Sequence, residues 1–156
     1  GTAQGLIAFD GSMSLNDRDI LIDSPIVCSV EAGFVTAIEG GWEARALQES
    51  LLHGESLALE FEQAGKLPAG EGRVYARNAR NIGELGIGLN PAARISGSML
   101  EDEKAFRTCH FAIGANYDED APALIHLDGL VRDPTITAVL PSGERILIEE
   151  AGELVL

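Results

Sequence analysis

The fold is decided by three short stretches in the second half of the chain: NIGELGIGL (residues 81–89), RTCHFAIG (107–114) and ALIHLDGLV (123–131). Side chains alternate between the two faces of a β-strand, and in each stretch apolar residues recur at every second position. The opposite face carries small residues and four ionisable ones, namely Glu84, His110, His126 and Asp128. The alternation therefore predicts strands of one sheet, with the ionisable side chains gathered on a single face.

The rest of the chain adds further strands and one clear helix. Hairpins are predicted where β-rich runs flank Ala32–Gly33 (runs 25–31 and 34–39) and residues 141–143 (runs 135–140 and 144–149). Residues 42–53 (WEARALQESLLH) have helical spacing, and Gly54 is expected to end that helix. Weaker signals predict a strand at 5–10, short helices at 55–62 and 99–106, and an irregular link at 65–72. We expect a single β-rich α+β domain over residues 1–156, with a curved mixed sheet and one long helix.

Composition narrows the classes of partner. The chain has 156 residues, 46% of them hydrophobic, and a formal net charge of −14. Such an acidic surface repels nucleic-acid phosphates and anionic headgroups, so we expect neither nucleic acid nor a membrane as a partner. Cys28 and Cys109 form no C-x-x-C pair, which favours a reducing, cytoplasmic location. The chain opens with Gly1 rather than Met, so we expect it to be a fragment of a longer protein.

The H-x-D pair at His126 and Asp128 places an imidazole and a carboxylate side by side on one strand. With His110 and Glu84 on neighbouring strands, these groups could converge on a divalent metal ion at about 2.0 to 2.2 Å. The alternative is that the two histidines are half-buried sheet residues paired with some of the 25 acidic residues. The residues alone leave both interpretations open. His53, at the expected end of the helix, is assigned to the helix dipole.

Two residues outside the three strands are candidates for catalysis. Glu103 belongs to the acidic stretch MLEDEKAF (99–106) and precedes His110 by seven positions. Tyr117 follows His110 by seven positions, where a phenol could donate a hydrogen bond to a developing oxyanion. For Glu101 and Asp102 of the same stretch the plainer interpretation is a solvated acidic helix start, from which Glu103 is set apart by its spacing to His110. For Tyr117 the plainer alternative is a loop tyrosine at the edge of the core.

These residues also carry a family resemblance. The segment NIGELGIGLNPAARISGSMLEDEKAFRTCHFAIGANY and the later IHLDGLVRDPTI resemble the C-terminal catalytic part of the thermophilic metallo-aminopeptidases, the aminopeptidase T and aminopeptidase S type. The stretches GTAQGLIAFDGS, PIVCSVEAGFVTAIEGGWEA and DPTITAVLPSGERILIEEAGE resemble that family too, so the resemblance spans most of the chain. It implies a leucyl-aminopeptidase-like hydrolase that acts on short peptides with a pair of divalent ions (Zn, Co, Mn or Mg). Pairing into a homodimer is an arrangement that the sequence leaves open.

The resemblance also implies a role for each candidate. The metal ligands would be Glu84, His110, His126 and Asp128; the proton acceptor would be Glu84 or Glu103, and the group that steadies the oxyanion would be Tyr117. The family's first glutamate ligand would lie upstream of residue 1. We therefore expect at most one firmly bound ion and weak peptidase activity in this chain. The chain also departs from the family in the short spacing of 16 positions between His110 and His126 and in a bulky Arg107.

Two other functions stay open. His110, His126 and Asp128 alone form the two-His-one-carboxylate set of non-haem Fe(II) oxygenases, and a ring-cleaving dihydroxypyridine dioxygenase also resembles this peptidase family. Glu84 as a fourth ligand would argue against that iron site, which needs open positions. The other possibility is a non-catalytic domain that kept the fold and binds a partner.

Overall fold

The computed structural model describes residues 2–118 and 120–155. The strands and helices of these residues are β1 (Gly5–Phe9), β2 (Ser12–Ser14), β3 (Asp19–Leu21), β4 (Ile26–Glu31), β5 (Phe34–Glu39), α1 (Trp42–Gln63), α2 (Glu71–Asn78), β6 (Ile82–Gly88), α3 (Met99–Asp102), β7 (Thr108–Gly114), β8 (His126–Arg132), β9 (Ile136–Val139), β10 (Arg145–Glu150) and β11 (Glu153–Leu154). The predicted α+β class is confirmed, and the three decisive stretches form β6, β7 and β8.

The strands form three sheets where one curved sheet was expected. Their orders are β1-β4-β5, β11-β10-β9 and, for the five-stranded sheet that carries the candidate site, β3-β2-β8-β7-β6. All pairings between these strands are antiparallel, in place of the expected mixture of directions. Within the described ranges, parallel pairing is limited to an isolated bridge between Asn90 and Ala105. Short connections account for the antiparallel direction of β4–β5 and of β9–β10, since parallel neighbours need long crossovers.

The first predicted hairpin is confirmed, and its turn explains why the sequence has Ala-Gly there. Ala32 and Gly33 connect β4 to β5 with φ angles of 49° and 88°. Two consecutive positive φ values are typical of a type I′ turn, whose twist matches that of the strands it joins. The second predicted hairpin joins β9 to β10, with Gly143 at φ 86° in its turn.

The long helix is confirmed, but Gly54 does not end it. Helix α1 continues to Gln63, so His53 lies in the middle of the helix and its assignment to the C-terminal dipole is wrong. Gly54 is a packing position: a Cβ there would lie 2.7 Å from Cδ1 of Ile125. The expected separate helix at 55–62 is therefore part of α1, and the expected link at 65–72 leads into α2.

The core lies between α1 and the inner faces of the β1-β4-β5 sheet and of the five-stranded sheet. Leu47 and Leu51 of α1 are fully buried in the same cluster as Ile113 of β7 and Leu127 of β8. The apolar rows of β7 and β8 thus face the core, as the alternation predicts. On β6, which is the edge strand, Leu85 on the corresponding face is 56% exposed.

Both cysteines are free and buried, on strands β4 and β7. Burial raises the pKa of Cys28 to about 12 and that of Cys109 to about 11. Neither thiol is therefore a nucleophile near neutral pH.

None of the helices in the described ranges has the length and apolarity needed to cross a membrane.

Candidate metal centre

The register of β6, β7 and β8 brings the predicted ligands to one place. Glu84 pairs with Ala112, and Ala112 pairs with Asp128 on its other side, so the two carboxylates flank a small residue. His110 lies two residues before Ala112, and His126 two residues before Asp128. Because residues two apart share a face, all four ionisable side chains project from the same side of the sheet.

The polar atoms of these four side chains converge. Nε2 of His110 lies 3.1 Å from Oε1 of Glu84, which thereby forms a hydrogen bond with the ring. Nε2 of His126 lies 3.6 Å from Oε2 of Glu84 and 3.4 Å from Oδ1 of Asp128. The carboxylate of Glu84 therefore lies between the two imidazoles, and the Nε2 atom of each ring faces it.

Glu103 joins this cluster from the other side. One ligand atom from each of Glu103, His110 and Asp128 lies within 4.8 Å of the other two, a group that could hold a metal ion. Glu103 directly follows α3, and the buried Asp102 fixes that short helix by accepting hydrogen bonds from the backbone N–H groups of Ser96 and Gly97 (2.8 and 2.9 Å). Asp102 is thus a structural acid, and Glu103 is the acid presented to the centre.

Two glycines of β6 make room for this arrangement. A Cβ on Gly86 would lie 2.1 Å from Cε1 of His110, which is a steric clash with the imidazole ring. A Cβ on Gly88 would lie 1.9 Å from the carbonyl oxygen of Ala105, which belongs to the turn that follows Glu103. The absence of side chains at these two positions lets His110 lie flat over the strand and lets that turn approach the sheet.

The ring of His126 is oriented for metal binding. Its Nδ1 lies 2.7 Å from the backbone carbonyl of Ala115, to which it donates when protonated, and this leaves Nε2 facing the carboxylates. Such a backbone partner fixes the ring of a ligating histidine and its tautomer. Without an ion, the adjacent Asp128 carboxylate is the main cause that raises the pKa of His126 to about 9.

The donor set fits a divalent ion. Oε2 of Glu84 and Oδ1 of Asp128 are buried atoms without a hydrogen-bond partner among the described residues. Buried acceptors of this kind are costly unless a cation or a donor satisfies them. Two imidazole nitrogens together with carboxylate oxygens are ligands that suit zinc and the neighbouring transition metals better than magnesium.

Tyr117 lies at the rim of the centre. Its ring centroid is 5.1 Å from that of His126, with the planes inclined by 50°, and the side chain is 83% exposed. The phenol therefore lies at the solvent-facing edge of the centre. Its role in stabilising an oxyanion stays a prediction.

Lys104 is a charged neighbour that the sequence reasoning missed. Its ammonium forms an ion pair with Glu103, and this hydrogen bond is the main cause that raises the pKa of Lys104. The negative charges of Glu84 and Asp128 act in the same direction. Lys104 is the single basic residue of the otherwise acidic stretch LEDEK (residues 100–104), and this was the sequence signal that could have identified it.

No protein-family model and no curated protein sequence matches the chain. Among solved structures, 2,5-dihydroxypyridine dioxygenase from Pseudomonas putida KT2440 is similar with a TM-score of 0.68 and 20% identity, over 99% of this chain and 40% of that one. AmpT (aminopeptidase T) from Thermus thermophilus is similar with a TM-score of 0.67 and 17% identity, over 98% of this chain and 36% of that one. The chain thus spans about two fifths of each enzyme. The two likenesses show the fold, and they are equally close for a peptidase and an oxygenase.

Proposed function

We propose that this chain is the metal-binding part of a metallo-aminopeptidase-like hydrolase that acts on short peptides. The observation that carries the proposal is the convergence of two imidazoles and the carboxylates of Glu84, Asp128 and Glu103 on one face of the sheet. His110, His126, Glu84 and Asp128 would hold the ion. Metal ligands on rigid, paired strands keep their geometry, as a catalytic site requires.

A divalent ion bound there would lower the pKa of a water molecule to near neutrality and polarise a peptide carbonyl. The chain's own residues would do the rest. Glu84 is engaged by both imidazoles and Glu103 by the ammonium of Lys104, and one of these two carboxylates would take a proton from water and return it to the leaving amine. Tyr117 at the rim would donate a hydrogen bond to the oxyanion.

A non-haem iron dioxygenase is the second candidate, because the dioxygenase structure is as similar as the peptidase structure. The presence of Glu84 favours the hydrolase. A mononuclear iron oxygenase holds its ion with three protein groups and leaves positions open, whereas Glu84 here lies within 3.6 Å of both imidazole nitrogens. A fourth protein ligand would fill one of those open positions.

Elemental analysis of the chain purified without chelator, followed by assays on the same sample, tests the proposal. We expect zinc, cobalt or manganese at one ion per chain, and hydrolysis of an aminoacyl-anilide that a chelator abolishes. Tightly held iron with oxygen uptake on 2,5-dihydroxypyridine would support the dioxygenase instead. Failure to bind any divalent ion would refute both enzyme proposals and leave a non-catalytic domain.

Tyr117→Phe tests the proposed hydrogen bond from the Tyr117 hydroxyl to the oxyanion. Loss of one transition-state hydrogen bond costs on the order of 3 kcal/mol, or about a hundredfold in turnover. Metal content should not change, because the ring of Tyr117 packs beside His126 and the phenylalanine keeps that ring. Unaltered turnover would make Tyr117 a structural residue of the rim.

A further inference from the structure

We propose that the ammonium of Lys104 takes the place of a second metal ion, so that the centre of this chain holds one divalent cation. This inference rests on the proposed metal centre and adds the number of ions that it accepts. Lys104 is not one of the four proposed metal ligands.

The centre has enough ligands for two ions. Two-ion sites hold their metals about 3.5 to 4 Å apart and share a carboxylate between them. Glu84 contacts both imidazoles with its two oxygens, and Glu103 adds a fifth side chain whose ligand atom lies within 4.8 Å of those of His110 and Asp128. The number of ligand side chains therefore does not by itself limit the centre to one ion.

The charge of the centre does set such a limit. The carboxylates of Glu84, Glu103 and Asp128 carry three negative charges when ionised, and the two neutral imidazoles carry none. One divalent ion together with one ammonium balances these charges. A second divalent ion beside the ammonium would leave two uncompensated positive charges among side chains that are mostly buried, with Asp128 13% and Glu103 15% exposed.

Lys104 is placed to exert this effect. Its ammonium forms an ion pair with Glu103. Among the described residues, Glu103 makes no polar contact with Glu84 or His126, whereas Asp128 contacts His126. A lysine ammonium is charged at neutral pH. The side chain of Lys104 is 59% exposed, and its replacement therefore disturbs little packing. The ion pair keeps Glu103 free of metal.

The test replaces Lys104 and counts ions. Lys104→Met removes the charge but keeps an unbranched side chain, and Lys104→Arg keeps the charge. Lys66→Met is the matched control, because it removes the chain's other lysine, whose ammonium lies 4.4 Å from the centroid of the Phe61 ring. Zinc and cobalt titrations by calorimetry, with elemental analysis after gel filtration, give the number of ions per chain for all four proteins.

We expect one ion per chain in the native protein, Lys104→Arg and Lys66→Met, and two in Lys104→Met. In the cobalt-loaded Lys104→Met protein, the second ion should also give magnetic coupling that the native protein lacks. One ion with unchanged affinity in Lys104→Met, or two ions in the native protein, would overturn the inference while leaving the metal centre in place. No ion in any of the four proteins would overturn the proposed function itself.

Discussion

A single methyl group added at Gly86 should destroy the metal centre without altering any ligand. In Gly86→Ala the new Cβ would lie 2.1 Å from Cε1 and 2.4 Å from Nε2 of His110. Two carbon atoms pack no closer than about 3.5 Å, so the imidazole would have to retreat by about 1.4 Å. Metal–ligand distances tolerate only about 0.2 Å. His110 would therefore be lost as a ligand.

The expected loss of affinity is large. Disturbing the support of a metal ligand typically costs about 10 to 100-fold in affinity, and removal of the ligand itself should cost at least the upper end of that range. The overpacking should cost about 1 to 3 kcal/mol of folding free energy. Calorimetric titration with zinc measures the first effect, and urea denaturation of the metal-free protein measures the second.

Leu85→Ala is the control for this experiment. Leu85 is the preceding residue on β6, but its side chain projects from the opposite face and is 56% exposed. Its replacement should leave zinc affinity within about threefold of the native value. If folded Gly86→Ala also binds zinc as tightly as the native protein, His110 is not a ligand and the proposed centre is wrong.

Three further outcomes are expected. Asp128→Asn should lower the pKa of His126 from about 9 in the metal-free protein, because Asp128 is the main cause of the elevation; histidine NMR titration measures it, and an unchanged pKa would contradict the geometry. Burial raises the pKa of Glu149 above its ordinary value of 4.5, so the folded state holds that proton more tightly than the unfolded state and stability declines as pH rises from about 4.5. Glu149→Gln should weaken this decline and raise the melting temperature at pH 7, and a lower melting temperature would show that the carboxylate is stabilising. Cys28 and Cys109 should resist iodoacetamide at pH 8 until the protein unfolds, since both are buried with strongly raised pKa values; rapid labelling of the native protein, followed by mass spectrometry, would refute this.

The common face of the candidate ligands could be predicted from the sequence because it depends only on local geometry. The two-residue period of a strand places His126 and Asp128 side by side whatever the strand pairs with. The register does not follow from this period. That Glu84 faces Ala112, and Ala112 faces Asp128, depends on how β6, β7 and β8 align, and a bulge between Ile82 and Glu84 shifts the first of these strands.

Features that depend on distant contacts could not be predicted. Gly54 has the sequence appearance of a helix end, but it continues the helix because Ile125, 71 positions later, packs against it. Helix α2 follows a Gly/Pro-rich stretch, and its start is fixed by Glu62 of α1, whose carboxylate accepts hydrogen bonds from the N–H groups of Gly70 and Gly72. In the same way, Lys104 reaches the centre through the fold of the turn that carries it.

The ligands come from three neighbouring strands, and β6 is the outermost of these, hydrogen-bonded as a strand to β7 alone. An ion held by Glu84, His110 and Asp128 would therefore connect β6 to β7 and β8 and stabilise this edge of the sheet. A ligand present at a hundred times its dissociation constant stabilises the native state by about 2.7 kcal/mol. Of the three ligand-bearing strands, β6 has the fewest strand neighbours among the described residues, so amide hydrogen exchange in β6 should slow when the ion binds. When the ion is lost, amide hydrogen exchange should therefore become faster in β6 before it becomes faster in the other strands of the sheet.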